Sequence, residues 1–192
     1  MDNTLEIRWH GRGGQGAKTA ALLFGEAAMS LGKYIQAFPE YGPERMGAPV
    51  ASFNRLSDQP ITLHCGITSP SIVLVLDPTL MDSVDVTAGL PADGKLIINT
   101  SLSPKEIRGQ LNFKGGKVYT VDASKISKET IGREIPNTPM LGALVKVSAF
   151  LKIEEVLKDL EGKLKKKFAS KLEIVAGNLN AVKRAYQEVV EE

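Results

Sequence analysis

Six residues near the amino end, Gly11-Arg12-Gly13-Gly14-Gln15-Gly16, lie between a short run suited to a strand, Leu5 to Trp9, and a run of good helix formers, Ala17 to Leu31. Strand, tight turn and helix follow from that order, because residues without a Cβ let the backbone turn sharply and approach a ligand closely. The spacing satisfies G-x-G-x-x-G at a strand-to-helix junction, where main-chain N–H groups converge and the positive end of the helix favours a phosphate or a carboxylate. Arg12 adds a full positive charge beside those amides. The whole turn, Gly11, Arg12, Gly13, Gly14, Gln15 and Gly16, is therefore the first candidate binding element.

Three uses of this turn stay open on the residues alone. A dinucleotide enzyme would place an acidic residue roughly 20 positions further on against a ribose, and Glu40 is the candidate. A phosphate-hydrolysing P-loop is a near miss, since Ala17-Lys18-Thr19 displaces the lysine by one position and turns it by about 100° on the helix. The glycines could also serve packing alone.

Downstream, Tyr34 to Phe38 reads as a second strand, and Val50 to Leu56 with Ile61 to Leu63 reads as a hairpin around Ser57-Asp58-Gln59-Pro60. Ser71 to Asp77, Lys95 to Asn99 and Lys117 to Val121 are apolar runs of the kind that a strand covered on both faces requires. Helical stretches follow several of these strands. Asn137-Thr138-Pro139 starts another helix with an apolar face over Met140 to Phe150, and two charged amphipathic helices follow, roughly Ile153 to Phe168 and Ser170 to Val190. The expected fold is α/β and three-layered, with a mainly parallel or mixed sheet, a Rossmann-like glycine-rich first strand-turn-helix and C-terminal helices, all in a single domain over residues 1–192.

Composition narrows the function. Lysine and arginine number 24 against 22 acidic residues, a net charge of +2, which excludes a generic nucleic-acid binder and requires any anionic ligand to be held locally. The single cysteine, Cys65, excludes an internal disulfide and an iron–sulfur cluster or zinc site built from this chain's own thiols. The polar start and the lack of a long apolar run predict a soluble, cytoplasmic chain with no membrane partner. The lysines at 163 and 165–167 read as a solvated helix face, His64-Cys65 as ordinary packing, and Asp77, before Pro78, as a cap for the next turn. Tyr41, Glu44 and Arg45 sit on a loop stiffened by Pro39, Pro43 and Pro49, expected at the sheet's carboxyl edge beside the glycine turn. No acid/base pair with a recognisable spacing is present, which points to a binding subunit whose catalytic partner is another chain.

The glycine turn, the segment Phe38-Pro39-Glu40-Tyr41-Gly42-Pro43-Glu44-Arg45-Met46-Gly47-Ala48-Pro49 and the segment Asn137-Thr138-Pro139-Met140-Leu141-Gly142-Ala143 together resemble the gamma subunit of 2-oxoacid:ferredoxin oxidoreductases, most of all the pyruvate-using, pyruvate synthase kind. Met46 departs from the pattern, standing where the family often has a second arginine. The resemblance implies a non-catalytic gamma subunit of an enzyme that decarboxylates pyruvate oxidatively to acetyl-CoA and CO2, with ferredoxin as electron acceptor. It places thiamine diphosphate in the alpha and beta subunits and the iron–sulfur clusters in beta and delta. For this chain it implies help in binding or gating coenzyme A, with the glycine turn, Arg12 and Arg45 near the phosphates, Glu44 also among the cofactor-binding residues, and no catalytic or metal-ligating residue. A free-standing dinucleotide oxidoreductase and a purely structural subunit are the alternatives.

Overall fold

The computed structural model describes residues 4–40 and 46–192. In chain order the elements are β1 (Leu5–Arg12), α1 (Ala17–Ser30), β2 (Tyr34–Pro39), β3 (Pro49–Ser57), β4 (Ile72–Val75), a 3-10 turn (Pro78–Asp82), β5 (Lys95–Asn99), α2 (Pro104–Leu111), β6 (Lys117–Val121), α3 (Ala123–Ile131), α4 (Asn137–Ser148), α5 (Ile153–Lys167), α6 (Leu172–Glu188) and β7 (Val190–Glu191). One seven-stranded sheet takes the order β2-β3-β1-β4-β5-β6-β7. β1, β4, β5 and β6 run parallel, whereas β3 is antiparallel to both β1 and β2, and β7 is antiparallel to β6.

Alternation along the central strands feeds two separate cores. Ile72, Leu74, Ile97, Tyr119 and Val121 face a layer made by α1, α3, α4, α5 and α6. Val73, Val75, Leu96, Ile98 and Val118 face the other way, onto Ile107 of α2 and Met81, Val84, Val86 and Leu90 of the β4–β5 connection. Burial on both sides is why these strands are unbroken apolar runs. Two helix starts are capped by side chains: Ser103 and Glu106 form a reciprocal cap for α2, and Asp122 caps α3 through the Lys125 amide. In the helical layer, a Cβ added to Gly142 would fall 2.1 Å from the Val182 carbonyl oxygen, so α4 and α6 approach backbone to backbone.

The three-layer α/β class and the C-terminal helices agree with the sequence. The sheet is evenly mixed: three of its six pairings are parallel and three antiparallel. Ile61 to Leu63 is not a strand. Leu63 is exposed there, and the partner of Val50 to Leu56 is β2, in the register Phe38 opposite Phe53. The chain beyond Glu188 leaves the helix and pairs with β6 instead of continuing to Val190 as helix.

Candidate functional site

The carboxyl ends of β1, β4, β5 and β6 meet the amino ends of α1, α3 and α4 at one edge of the sheet. Gly11 and Arg12 belong to β1 itself, opposite Val50 and Pro49. The turn then closes over Gly13 to Gly16, with Gly14 at φ 97° and Gly16 at φ 82°, a left-handed backbone that a side chain strains. A Cβ on Gly16 would also lie 2.6 Å from the Asn137 side-chain nitrogen, so the start of α4 leans directly on the start of α1. Neither α1 nor α4 is capped by its N-cap side chain or has an acidic residue in its first turn, although in α4 Asn137 Oδ1 accepts from the Thr138 amide at 2.7 Å. Two positive helix ends thus adjoin without a carboxylate of their own.

The turn is clamped from both sides. Gly13 donates to the Ala48 carbonyl at 2.9 Å and accepts from the Gly47 amide at 3.1 Å, which fixes the far end of the β2–β3 loop against it. The Gln15 side chain accepts from the Arg12 amide at 2.7 Å and donates to Asp77 Oδ2 at 2.7 Å. Arg12 donates through Nε to the same Asp77 oxygen at 3.1 Å, through Nη1 to the Gly47 carbonyl at 3.2 Å and through Nη2 to Thr79 Oγ1 at 2.8 Å. A guanidinium carries five N–H donors, so one on each terminal nitrogen of Arg12 remains for another partner. Its side chain is 31% exposed.

Asp77 does cap the next turn, accepting from the Thr79 amide at 3.0 Å. It is at the same time the carboxylate that holds Arg12 and Gln15. Burial works to raise its pKa, but the hydrogen bonds from Thr79 and Gln15 and the charge of Arg12 outweigh that and hold the carboxyl below its usual range. Beside Gln15 and Asp77 opens a crevice of about 320 Å³ across the ends of β4, β5 and β6, with Asn99, Ser101, Asp122, Ser124 and Glu134 among its walls. Asn99 is spent on structure: its amide nitrogen donates to the Leu76 carbonyl and Ser124 Oγ, and its oxygen accepts from the Ser124 amide.

Lower on β1, Arg8 and His10 share the face turned toward the β4–β5 connection, where Arg8 donates to the carbonyls of Val86 and Ala88. Burial, then the nearby Arg8 charge, pushes the His10 pKa down to about 4. Both residues are therefore parts of the interior and not of the edge.

The structure brings Gly11, Arg12, Gly13, Gly14, Gln15 and Gly16 together at one rim. Tyr41, Glu44 and Arg45 lie outside the described residues; Gly47 and Ala48, which precede β3, touch the glycine turn. Their approach comes from the antiparallel β2–β3 pairing and not from a parallel neighbour of β1. Glu40, exposed, directly follows β2, which β3 separates from β1, so it is two strand spacings away, roughly 10 Å. Lys18 is exposed on α1 and His64 on an irregular segment, while the Cys65 carbonyl accepts from Arg55. Among the described residues, no group of three His, Cys, Asp or Glu side chains is placed to hold a metal ion. Asn137 and the clamping role of Asp77 escape a sequence reading; the Asp-Pro step closing β4 was the available signal for the second.

The sequence profile of the pyruvate ferredoxin/flavodoxin oxidoreductase family matches residues 6–188. The chain belongs to that family. Among curated relatives, the pyruvate synthase subunit PorC of Thermotoga maritima is 46% identical over 96% of this chain and 94% of its own length. The common gamma subunit of the pyruvate/ketoisovalerate oxidoreductases of Thermococcus litoralis is 46% identical over 97% of both. Among solved structures, the T. maritima pyruvate oxidoreductase subunit PORC superposes with a TM-score of 0.86 at 43% identity, covering 98% of each chain. A chain of the 2-oxoglutarate:ferredoxin oxidoreductase of Magnetococcus marinus shares the fold, with a TM-score of 0.74 at 20% identity, over 97% of this chain and 31% of the longer one. The family's gamma-type chains are subunits of multi-subunit oxidoreductases, and this chain is one of them. No helix among the described residues is long and apolar enough to cross a membrane.

Proposed function

We propose that this subunit helps bind or gate coenzyme A in a pyruvate:ferredoxin oxidoreductase, the rim of the glycine turn and Arg12 gripping the phosphates, with Arg45 as a second cationic contact and Glu44 among the residues that meet the cofactor. In this reading the chain does no chemistry. Alpha and beta subunits hold thiamine diphosphate, beta and delta subunits carry the iron–sulfur clusters, ferredoxin takes the electrons, and the products are acetyl-CoA and CO2 in the cytoplasm. The observation that carries it is the uncapped start of α1 beside a guanidinium with N–H donors to spare, a donor set suited to phosphate oxygens. The structure of the M. marinus 2-oxoglutarate:ferredoxin oxidoreductase, one chain of which shares this fold over 31% of its length, has 2-oxoglutarate, coenzyme A and succinyl-CoA bound.

A purely structural role is favoured by a different observation. The amides of Arg12, Gly13 and Gln15 are already satisfied within the chain, which leaves Gly14, Gly16 and the first turn of α1 as the outward donors. Steady-state kinetics of the assembled complex separate the two. Arg12→Ala and Arg45→Ala should each weaken the use of coenzyme A by ~1 to 3 kcal/mol while pyruvate decarboxylation partly survives. Unchanged coenzyme A kinetics in both variants would assign the subunit to scaffolding.

A further inference from the structure

The crevice beside the glycine turn differs from the rim in the sign of its charge. Its walls contribute three carboxylates, Asp77, Asp122 and Glu134, and among the described residues no lysine or arginine lines it. Asp77 is neutralised by Arg12, and Asp122 sits on the positive end of α3, whereas Glu134 is exposed at the lip. With the Asn99 amide consumed internally, the remaining polar surface consists chiefly of oxygen: the carboxylates and the hydroxyls of Ser101 and Ser124. Like charge and the absence of cationic donors disfavour a phosphate inside, while N–H and O–H donors on a neutral ligand find acceptors there. A volume of about 320 Å³ admits a narrow chain or a single ring system.

We infer that the crevice takes the neutral, donor-bearing arm of a phosphorylated ligand whose anionic part stays outside at Arg12. Resting on the coenzyme A reading above, this means the pantetheine arm, with its amide N–H groups and hydroxyl, and not the nucleoside end, whose 3′-phosphate would be brought against Asp122 and Glu134. The rim and the crevice thereby set the direction in which the ligand lies across the sheet edge, phosphates toward α1 and arm toward β5 and β6.

The test uses the assembled complex with Ser101→Trp, which fills the crevice from an exposed loop position and leaves the buried frame alone. The readouts are KM for coenzyme A, KM for pantetheine as thiol acceptor, and inhibition by adenosine 3′,5′-bisphosphate. The expected result is a rise of about tenfold or more in both KM values with inhibition by the bisphosphate retained, which also reports an intact rim. Weakened inhibition with an unchanged pantetheine KM would reverse the orientation and overturn the inference. No change in any readout would remove the crevice from the ligand's path. In that case an Arg12→Ala variant that still raises the coenzyme A KM means that only this inference fails, whereas a silent Arg12→Ala takes the coenzyme A reading down as well.

Discussion

Two arginines, at opposite ends of the same strand pair, are used in opposite ways. Arg55 on β3 is 1% exposed and spends its fork on Glu6 Oε1 at 2.7 Å, Gln36 Oε1 at 2.7 Å and the Cys65 carbonyl at 3.1 Å, tying β1, β2 and the 58–70 segment into one face. Arg12, at the carboxyl end of β1, is also triply bonded, yet it remains 31% exposed beside the uncapped start of α1. The first network is closed and holds the sheet together; the second is rigid but open. A side chain fixed on one side and wet on the other is what a binding group requires, since its geometry is set before the ligand arrives.

Removing Arg55 should break the contrast most. Arg55→Ala removes a buried guanidinium and leaves the half-buried Glu6 and Gln36 without their partner, and urea unfolding of the isolated chain should register a loss of ~2 to 3 kcal/mol. Next comes His10, between Arg8 and Arg12 on β1. Its folded pKa is about 4 against 6.5 when unfolded, so the unfolded chain binds the proton first as pH falls. Stability from this group is complete above pH 6.5 and drains away toward pH 4, by about 3 kcal/mol in all. A His10→Gln variant should flatten that limb of the stability–pH curve, and an unaltered limb would relocate the acid sensitivity elsewhere. Gly16→Ala meets both a positive φ and the Asn137 side chain, and thermal unfolding should show ~2 kcal/mol lost. Arg12→Ala should be mildest for stability, ~1 kcal/mol, because its partner Asp77 keeps Gln15 and Thr79. A loss there as large as that of Arg55→Ala would erase the distinction between holding and binding.

The parts of this architecture that depend on neighbours in the chain were readable from the residues. β5 and β6 coincide with the apolar runs Lys95 to Asn99 and Lys117 to Val121, because strands buried on both faces carry that pattern in themselves. The glycine turn is equally local. What escaped depends on distant partners. Val50 to Leu56 pairs across a long loop with β2, and nothing in Ile61 to Leu63 distinguishes a rejected strand from an accepted one except exposure after folding. Asp77 lies 65 positions from Arg12, so a residue readable as a simple cap turned out to hold the turn in place. The crevice exists only where three strand ends come together, and Asn137 reaches Gly16 only because α4 crosses above α1.

The backbone contact at Gly142 has a kinetic meaning for this edge. α4 is pressed onto α6 without an intervening side chain, and its first residue bears on Gly16, whose turn is pinned in addition by Ala48 and Asp77. Among the described residues these contacts join the start of α1 to α4 and α6, so amide exchange in the three segments should be slow together and quicken together when Gly16 or Gly142 is substituted.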